Sequence, residues 1–230
     1  MNNSIVALLG DSLEILESFS DKFNCIWTDP PYGINYQSMR RTASEKFTHI
    51  QGDSLGNWIG RFARICFERL EPNSHLYCCT RFDTYPDFFY ALKQAGFTMK
   101  RTIIWVKNNH GSGDLTGDYA PRDEWIIFAH KGRREFTNGR RDNIFEFPKI
   151  NSHALIHPTE KPVALIKECL QNSIMSGEWI LDPFAGSFST GLASIALGCN
   201  FVGIEKDPQF YTPALERLQQ QQNIDLFTEI

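Results

Sequence analysis

Ile180-Leu181-Asp182-Pro183-Phe184-Ala185-Gly186-Ser187 is a short apolar run that stops at an acid and turns on a glycine. Thr190–Leu197 follows with helical spacing, and Phe201-Val202-Gly203-Ile204-Glu205 runs apolar again to a second acid. Strand, glycine turn, helix, strand, acid is one unit of a parallel α/β sheet. The glycine lets backbone approach a ligand, and an acid about 20 residues further on suits ribose hydroxyls. Glu205 lies at that spacing from Gly186. Asp182 would repel a pyrophosphate, so a nucleoside carrying positive charge and no phosphate fits the turn better.

The same alternation extends to both ends of the chain. Strands are expected at Ile5–Leu9, Asn24–Thr28, His75–Thr80, Thr98–Val106, Glu124–His130, Trp179–Leu181 and Asn200–Ile204. Helices are expected at Leu13–Ser18, Leu55–Leu70, Thr84–Ala95, Val163–Ser173, Thr190–Leu197 and Pro208–Gln222, the last behind an Asp207 cap with proline in its first turn. This predicts an α/β fold: an open, seven-stranded, mostly parallel sheet with helices on both faces. Thr98–Val106 and Glu124–His130 have no helical connection between them, so one of the two runs antiparallel to the rest. Two stretches break the alternation. Residues 34–52 are polar, and 131–156 carry Arg133, Arg134, Arg140 and Arg141 among few acids. Long irregular segments of this kind are commonly functional.

At 230 residues, 42% of them hydrophobic, the chain forms one domain, 1–230, with a sizeable core. Its net charge of −4 excludes a histone-like polybasic binder, though a local basic patch can still grip a phosphate backbone. The N-terminus reads unlike a signal peptide, and no apolar run is long enough for a membrane span, so the expected location is cytoplasmic, with no membrane partner. The six cysteines (Cys25, Cys66, Cys78, Cys79, Cys169, Cys199) show no CxxC spacing and read as buried reduced thiols. His153 and His157 are four apart without further ligands, so no metal site is expected.

Trp27-Thr28-Asp29-Pro30-Pro31-Tyr32-Gly33 directly follows an apolar strand. Ligands sit at the carboxyl ends of strands in open α/β sheets, so Asp29 emerges into a cleft. Pro30 and Pro31 fix φ and remove two donors, which stiffens the turn and holds its carbonyls in one direction. A carboxylate and a rigid bare carbonyl can each accept one hydrogen of an exocyclic amino group, while Tyr32 stacks on the planar base. The plainer reading is a capped turn punctuated by proline.

DPPY at residues 29–32 and DPFAGS at 182–187, with His157-Pro158-Thr159-Glu160-Lys161-Pro162 between them, resemble the S-adenosylmethionine-dependent amino-methyltransferases of DNA. The motif order, catalytic tetrapeptide first and cofactor turn near the C-terminus, resembles the permuted beta group of adenine-N6 and cytosine-N4 enzymes. The resemblance runs from Leu8-Leu9-Gly10-Asp11 to the final helix. It implies a Rossmann-like methyltransferase fold, S-adenosylmethionine as cofactor, double-stranded DNA as partner and often a homodimer.

Residue by residue, the resemblance implies a catalytic role for Asp29, Pro30, Pro31 and Tyr32. It implies cofactor contacts for Asp182, Phe184 and Gly186, with Glu205 on the ribose and Asp11 near the cofactor's adenine. Thr159 and Lys161 would lie beside the methionine moiety. Trp105-Val106-Lys107 is similar to the family's W-x-K strand end near the target base. One position departs from the pattern: Phe188 follows Gly186-Ser187 where the family has a further glycine, and this bears on the cofactor's pose. Plainer readings exist as well. Asp11 can cap a helix, Lys107 and Lys161 can be solvated charges, and the arginine pairs can be ordinary surface.

The expected reaction is methyl transfer from S-adenosylmethionine to the N6 amino group of adenine by direct displacement. A buried methyl donor requires the base to flip out of the duplex. Residues 34–52, with Arg40 and Arg41, form the expected target loop. Residues 131–156 are the expected DNA-recognition insertion, short enough to imply a short or relaxed target. The chain has no Pro-Cys dipeptide, which argues against C5-cytosine chemistry. The alternatives, in order, are cytosine-N4 methylation, RNA methylation and a non-catalytic DNA-binding or partner subunit.

Overall fold

The computed structural model describes residues 3–31, 55–111, 116–151, 155–157, 159–221 and 226–227. Tyr32, the target loop 34–52 with Arg40 and Arg41, and also His153 and Pro158, lie outside the described residues. The strands are β1 (Ile5–Leu9), β2 (Phe23–Thr28), β3 (Leu70–Thr80), β4 (Thr98–Met99), β5 (Ile103–Val106), β6 (Asp123–Lys131), β7 (Ile144–Glu146), β8 (Trp179–Asp182), β9 (Asn200–Glu205) and β10 (Leu226–Phe227). The helices are α1 (Ser12–Ser18), α2 (Leu55–Arg69), α3 (Tyr85–Gln94), α4 (Val163–Leu170), α5 (Ser189–Ala196) and α6 (Pro208–Gln219).

The strands form one sheet in the order β10-β1-β9-β8-β2-β3-β6-β5-β7, with β4 also on β6. Neighbours from β10 through β3 pair parallel, and β6 runs antiparallel to β3, β4 and β5. The expected antiparallel strand is therefore β6. Strand alternation sends Cys25 and Trp27 to one face and Ile26 to the other. On the first face Leu165, Ala193 and Leu218 of α4, α5 and α6 close the core. On the second, Leu16, Phe62 and Phe88 of α1, α2 and α3 do the same. All six cysteines are buried free thiols.

The sheet has three more short strands than the sequence suggests. Lys100-Arg101-Thr102 divides the expected Thr98–Val106 strand into β4 and β5, both on β6. β7 lies inside the stretch that reads as irregular. It pairs parallel with β5 because Ile104 N–H takes the Asn143 carbonyl and Phe147 N–H takes that of Val106. β10 adds a two-residue edge beside β1. These strands are too short to carry a periodic signal, and neighbouring backbone defines them.

Candidate active site

β2 and β8 are adjacent and parallel, and the chain leaves their carboxyl ends in opposite directions. After β2 it proceeds through α2, on one face, to β3; after β8 it proceeds through α5, on the other face, to β9. Such a parting of connections opens a crevice, the usual ligand site of an open α/β sheet. Asp29 and the buried Pro30 follow β2 at one lip, and Asp182 ends β8 at the other. Glu205 ends β9 and Asp11 follows β1, so four neighbouring parallel strands each deliver a carboxylate to the same edge.

The turn after β8 is built from its own side chains. Buried Asp182 accepts hydrogen bonds from Phe184 N–H at 3.1 Å and from the Thr190 hydroxyl at 2.5 Å. Gly186 adopts φ 50°, and its N–H reaches Glu205 Oε2 at 2.9 Å. Glu205 Oε1 accepts from Asp207 N–H at 2.7 Å. Burial pushes the Asp182 carboxyl up to about 7; its two hydrogen bonds oppose that, and the Asp29 and Glu205 charges add to it. Burial also raises Glu205, against the amides that hydrogen-bond it. The crevice therefore gathers more negative charge than its surroundings stabilise, and a cationic ligand would relieve it.

Lys161 crosses to this edge from the other half of the chain. Its ammonium is buried and donates to Asp29 Oδ2 at 2.5 Å and to the Thr159 carbonyl at 3.3 Å. Burial works against that charge, and the Asp29 and Glu124 carboxylates overcome it and raise the Lys161 pKa. The segment carrying Lys161 is anchored by Glu160, whose carboxylate accepts from Arg217 of α6 at 2.5 Å, Ser189 Oγ at 3.2 Å and Ile156 N–H at 3.1 Å.

The DNA methylase family matches residues 23–216. This chain belongs to that family of N6/N4 amino-methyltransferases. The methylase is 24% identical over 242 residues to the type II methyltransferase M2.DpnII of Streptococcus pneumoniae, spanning 94% of this chain and 90% of the relative. It is 26% identical to the DNA adenine methyltransferase YhdJ of Escherichia coli K12, over 94% and 83% of the two chains. Among solved structures, the M1.HpyAVI–SAM complex superposes with a TM-score of 0.70 at 26% identity, covering 94% of this chain and 100% of the other.

The M1.HpyAVI neighbour is solved with S-adenosylmethionine bound. The crevice fits it: the cofactor brings positive charge to the surplus of carboxylates, and the turn offers backbone without a side chain at Gly186. A Cβ there would stand 3.5 Å from the His157 ring. Phe188, the departure from the family pattern, faces away from this space. Its left-handed backbone (φ 54°) starts α5, and its fully buried ring packs on Phe201 and Tyr211. Gly203 accommodates it, since a Cβ there would come within 2.6 Å of the Phe188 and Phe201 rings.

The other residues singled out in the sequence divide into two groups. Asp11 caps α1, accepting from Leu13 and Glu14 N–H at 3.0 and 3.3 Å, and pairs with Lys206 at 2.9 Å, so its plainer role is filled at the edge of the same crevice. Phe184 packs edge-on against Trp58 and tilted against Phe62 under the turn. Exposed Thr159 hydrogen-bonds His157 Nδ1 through its hydroxyl at 3.1 Å. The solvated reading of Lys161 and Lys107 is corrected: both take part in ion pairs that leave little of either exposed.

The expected DNA-recognition insertion, 131–156, begins at the end of the sheet opposite the crevice. β6 descends from Asp123, beside the crevice edge, to Lys131 at the opposite end of the sheet, where Ser74 pairs with it. Arg133 and Arg134 therefore lie at the amino ends of the parallel strands, away from Asp29. Arg134 is held by Glu178 at 2.6 Å, just before β8 begins. Arg141 pairs with Glu168 on α4, and Arg140 sits beside it on the exposed approach to β7. By contrast, the segment between β5 and β6 projects from the crevice end. There Gly111 N–H meets the Pro121 carbonyl at 2.8 Å and Lys107 N–H meets that of Arg122 at 2.7 Å. Exposed Tyr119 and Arg122 sit on this arm, and Lys149 lies beside it through Asn108. The sequence reading missed the arm, whose one signal was a run rich in glycine and asparagine between two paired strands. Among the described residues, no group of three or more His, Cys, Asp or Glu side chains is placed to hold a metal ion, and no helix is long and apolar enough to cross a membrane.

Proposed function

We propose that the protein methylates the exocyclic N6 amino group of adenine in double-stranded DNA, acting on a base flipped out of the helix. The observation that carries this reading is the position of Asp29-Pro30 at the end of β2, directly beside the β8 turn. An amino group held by the Asp29 carboxylate and the Pro30 carbonyl has both hydrogens engaged, which turns its lone pair out of ring conjugation. Pro31 stiffens that turn, and Tyr32 stacks on the base. S-adenosylmethionine, when bound, supplies an electrophilic methyl group on a sulfonium centre. Glu205 would hold its ribose, Asp11 would lie toward its adenine, Thr159 and Lys161 would flank its methionine end, and Asp182, Phe184 and Gly186 shape the turn. The chain contributes positioning and lone-pair orientation, with no covalent enzyme intermediate.

Two further observations support this choice of substrate. Asp at the first tetrapeptide position leans toward adenine in the resemblance, and the relative YhdJ is named a DNA adenine methyltransferase. DNA would approach the carboxyl ends of the strands, where the Lys107–Arg122 arm and Lys149 meet it, while Arg40 and Arg41 belong to the expected target loop. A homodimer is part of the reading, and light scattering on a sizing column checks it. The deciding test is incubation with unmethylated DNA and S-adenosylmethionine, followed by mass spectrometry of the nucleosides. N6-methyladenine that disappears in Asp29→Ala is expected. N4-methylcytosine would overturn the choice of base, and methylation seen only with RNA would overturn the choice of nucleic acid.

A further inference from the structure

Lys161 is buried and charged, so acceptors and counter-charges must surround its ammonium. Two are Asp29 Oδ2 and the Thr159 carbonyl. A third is Glu124, the second residue of β6, whose Oε2 stands 3.3 Å from the ammonium. This is an ion-pair contact, and Glu124 Oε2 has no hydrogen bond among the described residues. The other oxygen, Oε1, takes Lys107 Nζ at 2.6 Å. Asp29, Lys161, Glu124 and Lys107 thus alternate in sign, two carboxylates against two ammoniums. Burial acts to raise the Glu124 carboxyl, and the Lys161 and Lys107 ammoniums overcome it and hold it below the usual value.

Main-chain pairing fixes this arrangement. Glu124 stands opposite Trp105 in the β5–β6 register, and the Trp105 ring lies 5.2 Å from Lys107 Nζ. Trp105 is itself buried and tied through its indole N–H to the Phe147 carbonyl at 2.8 Å. Glu124 is therefore held on the sheet, whereas Lys161 reaches the site from a segment between strands. Of the two, Glu124 is the rigid reference point.

We propose that Glu124 is a positioning residue for methyl transfer: it works through Lys161, fixing the ammonium against Asp29 so that the carboxylate meets the target amino group in a single orientation. This rests on the reading of Asp29 given above. Glu124 touches neither base nor cofactor in this account. Its loss frees a buried cation to turn toward Asp29 alone or away from it, and either displaces the carboxylate.

The test is a double-mutant cycle on the full-length protein, comparing Glu124→Gln, Lys161→Met and the double variant, with Asp29→Ala alongside. Single-turnover methylation of DNA, steady-state KM values and calorimetric affinity for S-adenosylmethionine are measured for each. Glu124→Gln is expected to slow methyl transfer at least tenfold with both KM values within about threefold of wild type, a split that a general loss of structure does not produce. In the Lys161→Met background the same change is expected to alter the rate less than twofold. A wild-type rate in Glu124→Gln, or an equal loss in both backgrounds, overturns the inference while Asp29→Ala remains inactive. An active Asp29→Ala overturns the reading of the site itself, and the inference with it.

Discussion

Arg217 of α6 donates to the buried carboxylate of Glu160 at 2.5 Å, so the helix that ends the described core also holds the segment that presents Lys161. Removing the guanidinium leaves Glu160 buried with, among the described residues, the Ser189 hydroxyl and Ile156 N–H as its hydrogen-bond partners. Arg217→Ala should lower the unfolding free energy by about 3 kcal/mol, the low end for breaking a buried pair because the arginine is partly exposed. Chemical denaturation measures this. Methylation should also slow, because the neighbouring Lys161 loses its anchor. Unchanged denaturation and rate would show that the contact is dispensable.

Phe188 gives a prediction in which stability and cofactor affinity separate. Its left-handed backbone costs about 1–2 kcal/mol for a residue with a side chain, and its buried ring contributes about 3–5 kcal/mol. Phe188→Gly relieves the first and loses the second, for a net destabilisation of about 1–4 kcal/mol. Because the ring faces Phe201 and Tyr211, S-adenosylmethionine affinity by calorimetry should stay within a few-fold of wild type. A large change in affinity would mean that the ring does line the cofactor space.

Asp182, pushed up to about 7, makes cofactor binding depend on pH. A cation in the crevice favours the carboxylate, so below pH 7 binding must expel a proton and affinity falls. Titrations from pH 8 to pH 6 should show a weakening of up to about tenfold, which Asp182→Asn removes. The sign for folding is opposite. The folded protein keeps a proton that the unfolded chain releases above its ordinary value near 3.8, so this group adds stability as pH drops from 7 toward 4. Tighter binding at pH 6 than at pH 8 in the wild type would contradict the assignment.

DNA affinity should follow the end of the sheet on which a cation lies. Lys149→Glu, beside the arm at the crevice end, should weaken DNA binding and flatten its salt dependence. Arg133→Glu, at the opposite end, should change affinity less than about twofold in the same titration. The reverse result would place the duplex on the far edge of the sheet.

The elements of this fold were legible because their signals are local. Apolar runs, the Asp207-Pro208 helix start and the glycine turn at Gly186 each act within a few residues, and the strand and helix positions followed. The two motif turns were legible for the same reason, and sheet topology brought them together. Contacts across the chain were not. Lys161 and Asp29 are 132 residues apart, and nothing near Lys161 distinguishes a buried ammonium from a solvated one. Glu124 was hidden by its place at the head of an apolar strand, where an acid reads as the polar end of the element. The end of the sheet on which Arg133 and Arg134 lie was not legible, because composition shows charge but carries no direction. Only the antiparallel descent of β6 shows to which end of the sheet they go.

The six buried thiols have a practical consequence. Burial raises the pKa of each, up to about 11 for Cys199, so the native protein presents almost no thiolate to an alkylating reagent. A cysteine introduced in place of Tyr119, exposed on the arm, would react with a maleimide dye well before any native one. The Tyr119→Cys protein can therefore carry a single fluorescent label next to the crevice with every natural cysteine left in place. The dye would sit where a duplex arrives, and its emission would report arrival and departure during turnover.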